Sequence, residues 1–316
     1  MTTMISFEQG DRILDWIALT DALAAGHLLP KASVEDVFLY RDDNTLLNRS
    51  AWIKGMGLAV KCATIFPANR AAGKPMIGGA VNLFSDQDGA LEAILDFHLV
   101  TKWKTAGDSL LAARRLARPD SRNILIVGAG TVGRSLYAAY RAAFPEAKFT
   151  VWNRSQAGAK AFHKDLPEVA IAPDLEAAVR GADIITSATM STDPLIMGDW
   201  LQAGQHVDLI GAYRPDMREV DDAALLRSRV FVDNRHTTIG HIGELKIPIA
   251  RGVITPDHVV ADYYDHYAVQ ERRRRASGLD DQSLYPDRLE PECRPLNRCP
   301  FSKRRSLDVQ RVGSDC

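Results

Sequence analysis

The chain has 316 residues, of which 46% are hydrophobic and 25% charged, so it can bury a substantial core and is more consistent with two domains than with one. Its 39 lysines and arginines nearly balance its 40 aspartates and glutamates, which argues against nucleic-acid or membrane-surface binding, because both usually need a basic excess. With no secretion signal and no apolar run near the roughly 18 residues needed to span a bilayer, we expect a cytoplasmic protein with a small-molecule partner.

The first 120 residues predict a mixed α+β domain. A helix is expected over roughly residues 14–28, followed by strands in "VEDVFLY", "GLAVKCATIF" and the stretch 76–96, and then by a long helix that begins near residue 99. The four cysteines form no CxxC pair, so we expect reduced thiols and no bound metal.

From residue 121 to about residue 251, short β-rich runs alternate with helical ones. The runs "NILIV", "KFTVW", "VAIA", "DIITSAT", "HVDLIG" and "VFVD" are separated by amphipathic segments. Strands that alternate with helices at this spacing predict a parallel sheet covered by helices on both faces. The predicted fold class is therefore α/β, with a doubly wound Rossmann sheet following the mixed N-terminal domain.

The segment 271–316 has a different composition. It is rich in Arg, Asp and Pro and lacks sustained periodicity, so we expect loop or poorly ordered chain. The run Arg272–Arg275 is interpreted as a solvated charge run rather than a nucleic-acid patch.

The glycines of "GAGTVG" predict a dinucleotide site, since they follow a predicted strand and open a helix. Gly128 would make the tight turn, Gly130 would let the backbone approach a diphosphate, and Gly133 would permit close packing of helix on strand. The diphosphate would then lie at the helix N-terminus, where free N–H groups favour an anion. A tight turn without a ligand is the less favoured alternative.

The second strand of this unit ends in "VWNRS" rather than in an acid. An acid there would bind the ribose 2′-hydroxyl and repel a 2′-phosphate, whereas Asn153, Arg154 and Ser155 offer an amide, a cation and a hydroxyl. This favours NADP(H) over NAD(H), although Arg154 could instead lie in solvent beside the adenine. The predicted cofactor contacts are Gly128, Gly130, Thr131, Val132, Gly133, Asn153, Arg154, Ser155, Ala188, Thr189, Ile210 and Thr105.

The order of these motifs resembles the ornithine cyclodeaminase and mu-crystallin family from about residue 30 to about residue 265. The segments that carry the resemblance are "GLAVKCATIFPAN", "KTAGDSLLAARRLARPDS", "ILIVGAGTVGRS", "VWNRS" and "GAYRPDMREVDD". The resemblance implies a substrate-binding and dimerisation domain over residues 1–120, completed by residues 253–270, an NADP-binding domain over residues 121–252, and a homodimer. It also implies that residues 271–316 diverge, since they lack the family's closing strand and helix pattern.

In that family, cationic residues of the N-terminal domain hold the substrate carboxylate in a cleft against the nicotinamide. The family's lysine falls on Lys61, and its arginine at the start of the long helix is replaced here by Lys104. Arg49 in "LLNRSAW" is the candidate for the second arginine, with Arg41 as an alternative. Judged without the resemblance, Lys61 could be an exposed residue of an edge strand and Lys104 a solvated helix cation.

A second departure from the family favours one activity. Cyclodeaminases carry an acid where "GAYRPDMRE" has Tyr213, and the wording here is closer to that of the imine-reducing branch. The resemblance therefore implies NADPH-dependent reduction of a cyclic ketimine carboxylate, a pyrroline- or piperideine-2-carboxylate, to the cyclic L-amino acid. Lys61, Arg49, Lys104 and Tyr213 are the candidate catalytic residues, whereas His236 and His241 are expected to be structural or to support the site indirectly.

Two alternatives stay open from the sequence. One is an ornithine cyclodeaminase or amino-acid dehydrogenase, which would need another acid, for which Asp216 is the candidate. The other is a non-catalytic NADP(H)-binding protein that sequesters a ligand. Turnover of the cofactor with an imine separates an enzyme from a binding protein.

Overall fold

The computed structural model describes residues 2–265 and, by backbone alone, the strand at residues 307–312. Contacts divide the chain into two compact units, which are called here the first unit (Met1–Leu111 with Ala138–Ala143) and the second unit (Ala112–Tyr137 with Phe144–Cys316). This division differs from the anticipated boundary at residue 120, because one long helix contributes to both units. Residues 253–265 belong to the second unit.

The first unit contains one six-stranded sheet in the order β1-β6-β5-β4-β3-β2, in which β1 is parallel to β6 and the other pairs are antiparallel. The predicted strands and the helix near residues 14–28 are found. A strand that the sequence did not predict, β3, lies between two that it did. The elements are β1 (Thr3–Ile5), α1 (Phe7–Ile13), α2 (Trp16–Gly26), β2 (Ser33–Arg41), β3 (Asn44–Ile53), β4 (Gly57–Ile65), β5 (Ile77–Phe84), β6 (Leu91–Asp96) and α3 (Phe97–Leu116).

The hairpin that joins β2 and β3 sets the register of this sheet. Its two-residue turn has Asp42 at φ 53°, a left-handed conformation that Asp tolerates and that tight hairpin turns require. Nine residue pairs then align β2 with β3, from Arg41 opposite Asn44 to Ser33 opposite Trp52. The turn thereby decides which side chains share a face across β2, β3 and β4.

The second unit contains an eight-stranded, all-parallel sheet in the order β13-β12-β14-β11-β10-β7-β8-β9. The Rossmann fold expected from the sequence is confirmed. The elements are β7 (Asn123–Val127), α4 (Thr131–Ala143), β8 (Lys148–Trp152), α5 (Gln156–Asp165), β9 (Ala170–Ile171), α6 (Leu175–Gly181), β10 (Ile184–Ser187), β11 (His206–Leu209), α7 (Asp222–Leu226), β12 (Ser228–Phe231), α8 (Arg235–Thr238), α9 (Gly243–Ala250), β13 (Val259–Ala261) and β14 (Leu307–Val312).

The central strands of the parallel sheet are buried over almost their whole length. In β7 the residues from Ile124 to Val127 are at most 1% exposed, and every residue of β10 and β11 is buried. Strands covered on both faces need apolar side chains on both faces, which explains the unbroken run "ILIV". Burial at this depth leaves the loops at the strand ends as the places where ligands can bind.

The C-terminal segment corrects one expectation. The composition of residues 271–316 predicts loop or poorly ordered chain, yet Leu307–Val312 forms β14, which pairs in parallel with β11 on one side and with β12 on the other. The remainder of that segment, including Arg272–Arg275 and three of the four cysteines, lies outside the described residues. No helix within the described part of the chain is long and apolar enough to cross a membrane.

Candidate functional site

The turn between β7 and α4 is held in one conformation by its first glycine. Gly128 has φ 112°, and its N–H donates to the Trp152 carbonyl at 2.9 Å. A Cβ at this position would lie 2.8 Å from the carbonyl oxygen of Ala188, in the loop after β10. Only glycine combines this backbone angle with such a close neighbour, as expected for a tight βα turn.

The other two glycines differ in what surrounds them. A Cβ on Gly133 would lie 2.1 Å from the Gly128 carbonyl oxygen, so the helix packs directly on the turn. A Cβ on Gly130 would meet no atom within 4 Å, and the residue is exposed at the N-terminus of α4 beside Thr131 and Val132. The helix start thus presents its N–H groups to open space, which fits the diphosphate of a dinucleotide.

The three residues after β8 have separate tasks. The Asn153 side chain accepts from the Ala129 N–H at 3.1 Å and donates to the Ser155 carbonyl at 2.9 Å, so it links the glycine turn to the chain after β8. Ser155 is the N-cap of α5 and accepts from the Gly158 N–H. Arg154 is exposed, and in the described part of the chain no hydrogen bond or ion pair holds its guanidinium. Of the three, Arg154 offers a cation to an outside anion.

The loops that follow β10 and β11 lie next to each other at the carboxyl edge of the sheet. The Ala188 N–H donates to the Val127 carbonyl and the Ile210 N–H to the Ser187 carbonyl, both at 2.9 Å. The predicted contacts Ala188, Thr189 and Ile210 are therefore brought to the edge that also carries the glycine turn. In open α/β sheets this edge is where ligands bind.

Glu219 is a residue of this edge that sequence reasoning missed. Its carboxylate is fully buried and accepts four hydrogen bonds: from the Ser187 hydroxyl at 2.5 Å, the Thr189 N–H at 2.8 Å, the Thr189 hydroxyl at 2.7 Å and the Gly211 N–H at 2.8 Å. The acid in "RPDMRE" was the available signal, but nothing in the pattern shows that its side chain points inward. It fastens the two loops to one carboxylate.

A second buried carboxylate lies behind the first. Glu244 of α9 accepts from the Glu219 N–H at 2.6 Å and the Val220 N–H at 3.2 Å. Burial raises the pKa of Glu244 to about 8, with a further contribution from the Glu219 charge, against which the Arg218 guanidinium at 3.9 Å acts. Burial also raises the pKa of Glu219, opposed by its hydrogen bonds from Ser187, Thr189 and Gly211.

The remaining candidates of the second unit lie near the surface. Asp216 is exposed and gripped by both nitrogens of the Arg214 fork at 2.8 and 2.9 Å, which lowers the pKa of Asp216. Tyr213 is half-buried, with the Arg214 guanidinium 5.8 Å from its ring centre. His236 and His241 are both exposed. Within the described residues no group of His, Cys, Asp and Glu has an arrangement suited to a metal ion.

In the first unit, the register places three charged residues in one row across the sheet. Asp36 of β2 lies opposite Arg49 of β3, and Arg49 lies opposite Lys61 of β4. Directly paired residues of antiparallel strands point to the same face, so Arg49 and Lys61 are side by side. The Arg49 fork binds the Asp36 carboxylate through two contacts of 2.7 Å.

The position of β4 corrects one interpretation of Lys61. The strand lies between β3 and β5, so Lys61 is not on an edge strand, and its ammonium lies 5.3 Å from the centre of the Phe97 ring. Because successive side chains alternate faces, Arg41 points to the opposite face from Asp36, where it lines a cavity of about 320 Å³. The register thus groups Lys61 with Arg49 and not with Arg41.

Lys104 and Thr105 lie on α3, which begins at Phe97. Lys104 lies seven positions after Phe97, about two helical turns, so the two lie on one side of the helix. The Lys104 ammonium is 3.2 Å from the Asp108 carboxylate one turn later, and the Asp108 side chain is 6% exposed. A lysine here is held as a point charge rather than as the planar fork of an arginine.

Comparison with known proteins agrees with the sequence motifs. The profile of the ornithine cyclodeaminase/mu-crystallin family matches residues 50–275. The chain is 48% identical over 277 residues to the Delta(1)-pyrroline-2-carboxylate reductase of Paracoccus denitrificans, covering 86% of this chain and 88% of that protein.

Two solved structures share the fold. The Delta(1)-pyrroline-2-carboxylate reductase of Thermococcus litoralis, in complex with NADH and L-proline, superposes with a TM-score of 0.76 at 21% identity, over 99% of this chain and 92% of that one. An archaeal alanine dehydrogenase dimer with bound NAD gives a TM-score of 0.78 at 21% identity, over 99% and 91%. From its sequence match over most of its length, the chain belongs to the ornithine cyclodeaminase/mu-crystallin family.

Proposed function

We propose that this protein is an NAD(P)H-dependent imine reductase that converts the cyclic ketimine Δ1-pyrroline-2-carboxylate to L-proline. The observation that carries the proposal is the 48% identity to a reductase of that name over 86% of the chain and 88% of the relative. An alignment over 86% of the chain includes the dinucleotide motif as well as Arg49 and Lys61.

The reaction adds a hydride and a proton across a C=N bond. A reduced nicotinamide cofactor held at the turn of Gly128 and Gly130 would supply the hydride for the imine carbon. The ring nitrogen, protonated as an iminium, would take up the electron pair of the C=N bond and become the secondary amine of the product. The protein must then bind a carboxylate, orient the ring and exclude water, since positioning lowers the barrier without covalent chemistry. Arg49 and Lys61 supply two adjacent cations on one sheet face, and Lys104 supplies a third on α3.

The Asp36 contact shapes how Arg49 could act. The paired contacts of the Arg49 guanidinium with the Asp36 carboxylate orient its planar fork in the row that also holds Lys61. Lys61, on the adjacent strand β4, would bind the carboxylate of the substrate as a point charge. Tyr213 is the candidate proton donor of the second unit.

The cofactor preference we propose is NADP(H) over NAD(H). Neither Asn153 nor Ser155 is an acid, so neither would repel a 2′-phosphate. Their side chains serve the local structure, because Asn153 bonds the glycine turn and Ser155 caps α5. Arg154 is exposed at the same strand end and offers the guanidinium that a phosphate pairs with. The preference rests on Arg154.

We also propose a homodimer built on the β2 edge of the first unit. β2 ends the sheet, and its side chains Phe38, Leu39 and Tyr40 are 46%, 58% and 72% exposed. A long apolar edge strand would favour aggregation in a monomer unless another chain covers it. Replacing Leu39 by Lys should shift the protein to monomer in analytical ultracentrifugation, whereas Leu28→Lys, at a similarly exposed site outside the sheet, should not.

The cyclodeaminase alternative is disfavoured by the state of Asp216. The Arg214 fork holds the pKa of that carboxyl below its usual range, so Asp216 is a poor donor or acceptor of protons at neutral pH. Cyclodeamination needs a group that moves protons while ammonia leaves. We therefore expect no proline from ornithine.

The decisive experiment follows the nicotinamide absorbance of NADPH with Δ1-pyrroline-2-carboxylate, with NADH, piperideine-2-carboxylate and ornithine in parallel. Rapid oxidation of NADPH with formation of L-proline is the expected result. Tight NADPH binding without turnover of either imine would replace the reductase by a ligand-binding protein, and turnover of ornithine alone would replace it by a cyclodeaminase.

A further inference from the structure

We propose that Glu219 is a positioning residue whose buried carboxylate fixes the loops after β10 and β11 in the arrangement that the cofactor needs. The inference rests on the proposed function in one respect only, that the carboxyl edge of this sheet binds a dinucleotide. The geometry that carries it is the set of four hydrogen bonds that converge on one side chain from the end of β10 and from the two loops.

The donor set requires a carboxylate rather than an amide. Two of the four donors are backbone N–H groups, of Thr189 on Oε1 and of Gly211 on Oε2, and a backbone N–H can only donate. A glutamine would turn its NH₂ towards one of them in either orientation. It would therefore leave one part-buried N–H without its acceptor and weaken the attachment of that loop.

The two loops cannot move independently of each other or of the glycine turn. A Cβ on Gly211 would lie 2.1 Å from the Thr189 carbonyl oxygen and 2.3 Å from its nitrogen, so the two backbones touch. A Cβ on Gly128 would meet the Ala188 carbonyl oxygen at 2.8 Å and the Thr189 methyl at 3.4 Å. Glu219 thus anchors a continuous surface that runs from the glycine turn, between β7 and α4, to Ile210.

Within the described part of the chain no ion pair holds the buried Glu219 carboxylate, which argues for a positional task. Glu219 is fully buried, and the hydrogen bonds of Ser187, Thr189 and Gly211 are what stabilise its charge. A leucine of similar volume would be cheaper to bury if the residue only filled space. Glu219 instead bonds both the loop after β10, through Thr189, and the loop after β11, through Gly211.

The test compares Glu219→Gln with a matched control, Asp183→Asn. Asp183 also accepts two backbone N–H groups, of Arg122 and Asn123 at 2.9 Å, but it does so at the amino end of β10, away from the loops. Each change replaces a carboxylate of the same unit by its amide, and Asp183→Asn alters the pairing with Arg118 rather than any contact of the two loops. Hydrogen exchange of the cofactor-free protein and the Kd for NADPH by titration are measured for each.

Glu219→Gln should speed exchange at Thr189 or Gly211 beyond the change in the rest of the unit and raise the Kd about tenfold, the equivalent of one lost hydrogen bond. Asp183→Asn should leave both within about twofold. Equal effects of the two variants, or unchanged exchange at Thr189 and Gly211 in Glu219→Gln, would overturn the inference.

A milder variant covers the case in which Glu219→Gln does not fold. Ser187→Ala removes one hydroxyl donor and leaves both backbone bonds to the carboxylate, so it should fold and raise the NADPH Kd by a few-fold. No change in Kd for a folded Ser187→Ala, at unchanged Thr189 exchange, would count against the proposal. Since neither readout uses a ketimine, failure of the proposed reaction would be seen separately, as binding without turnover.

Discussion

The two sheets of this protein place their functional groups in opposite ways. The antiparallel sheet of the first unit carries Asp36, Arg49 and Lys61 on a face of the strands themselves, in a row set by register. The parallel sheet of the second unit is buried through β7, β10 and β11 and carries its candidate site in the loops beyond the strands.

The difference follows from how each sheet is covered. A sheet with helices on both faces must use apolar side chains on both faces, so polar chemistry moves to its edge. A sheet with one face less covered can devote alternate side chains to charge. Substitutions should therefore separate the cofactor site that we propose in the second unit from the substrate-binding residues that we propose in the first.

Gly133→Ala should give the largest effect and confine it to the second unit. The added methyl group would lie 2.1 Å from the Gly128 carbonyl oxygen, so α4 or the turn must shift. We expect NADPH binding, measured by titration, to become too weak to detect. The Trp16–Trp103 pair of the first unit, stacked at 3.9 Å, should keep its near-UV signal; loss of that signal would show that the two units do not respond separately.

Lys61→Met should weaken the reaction with the ketimine and leave NADPH binding intact. It keeps the aliphatic stem but removes the ammonium, which lies 5.3 Å from the Phe97 ring centre. A charge-assisted contact of that ammonium with the substrate is worth about 1.5–3 kcal/mol. We expect kcat/KM for the ketimine to fall by about 10- to 100-fold at unchanged NADPH Kd. Arg41→Met, on the other face of the sheet, is the control, and an equal loss there would contradict the grouping by register.

Glu244 gives the second unit a pH-dependent stability. Its folded pKa of about 8 lies above its ordinary 4.5, so the folded state holds the proton more tightly, and this contribution is full below pH 4.5 and lost as the pH rises towards 8. In that window the slope is about 1.4 kcal/mol per pH unit. Arg218 and Glu219 face the group directly, and Asp222 pairs with Arg218 behind it.

The measurement is urea unfolding of wild type and Glu244→Gln between pH 5 and 8. The difference in the free energy of unfolding should shrink as the pH rises, because the glutamine cannot lose a proton. A constant difference across this window would show that Glu244 is ionised throughout.

Arg154→Ala should have the smallest effect and one confined to the cofactor. The KM for NADPH should rise about tenfold while that for NADH stays within twofold, as expected for one charge-assisted phosphate contact. Arg122→Ala removes an exposed arginine from the amino edge of the same sheet and should change neither. Equal changes in both KM values after Arg154→Ala would remove the basis for an NADP(H) preference.

The sequence by itself determined the α/β class, the family and the glycine turn, because these depend on local periodicity and on a motif whose residues are adjacent in the chain. It did not reveal β3, whose residues alternate weakly and become a strand only between β2 and β4. Nor did it reveal β14, which is separated from both of its partner strands by many residues.

The tertiary structure alone decided how the charged residues are grouped. Strand pairing put Arg49 beside Lys61 and turned Arg41 to the other face, and a one-residue change of register would have reversed that choice. Burial likewise separated two neighbouring acids of one motif: Asp216 lies in solvent with Arg214, whereas Glu219 accepts four hydrogen bonds from the end of β10 and two loops. A linear pattern names residue types, but contacts between distant strands decide which of them meet.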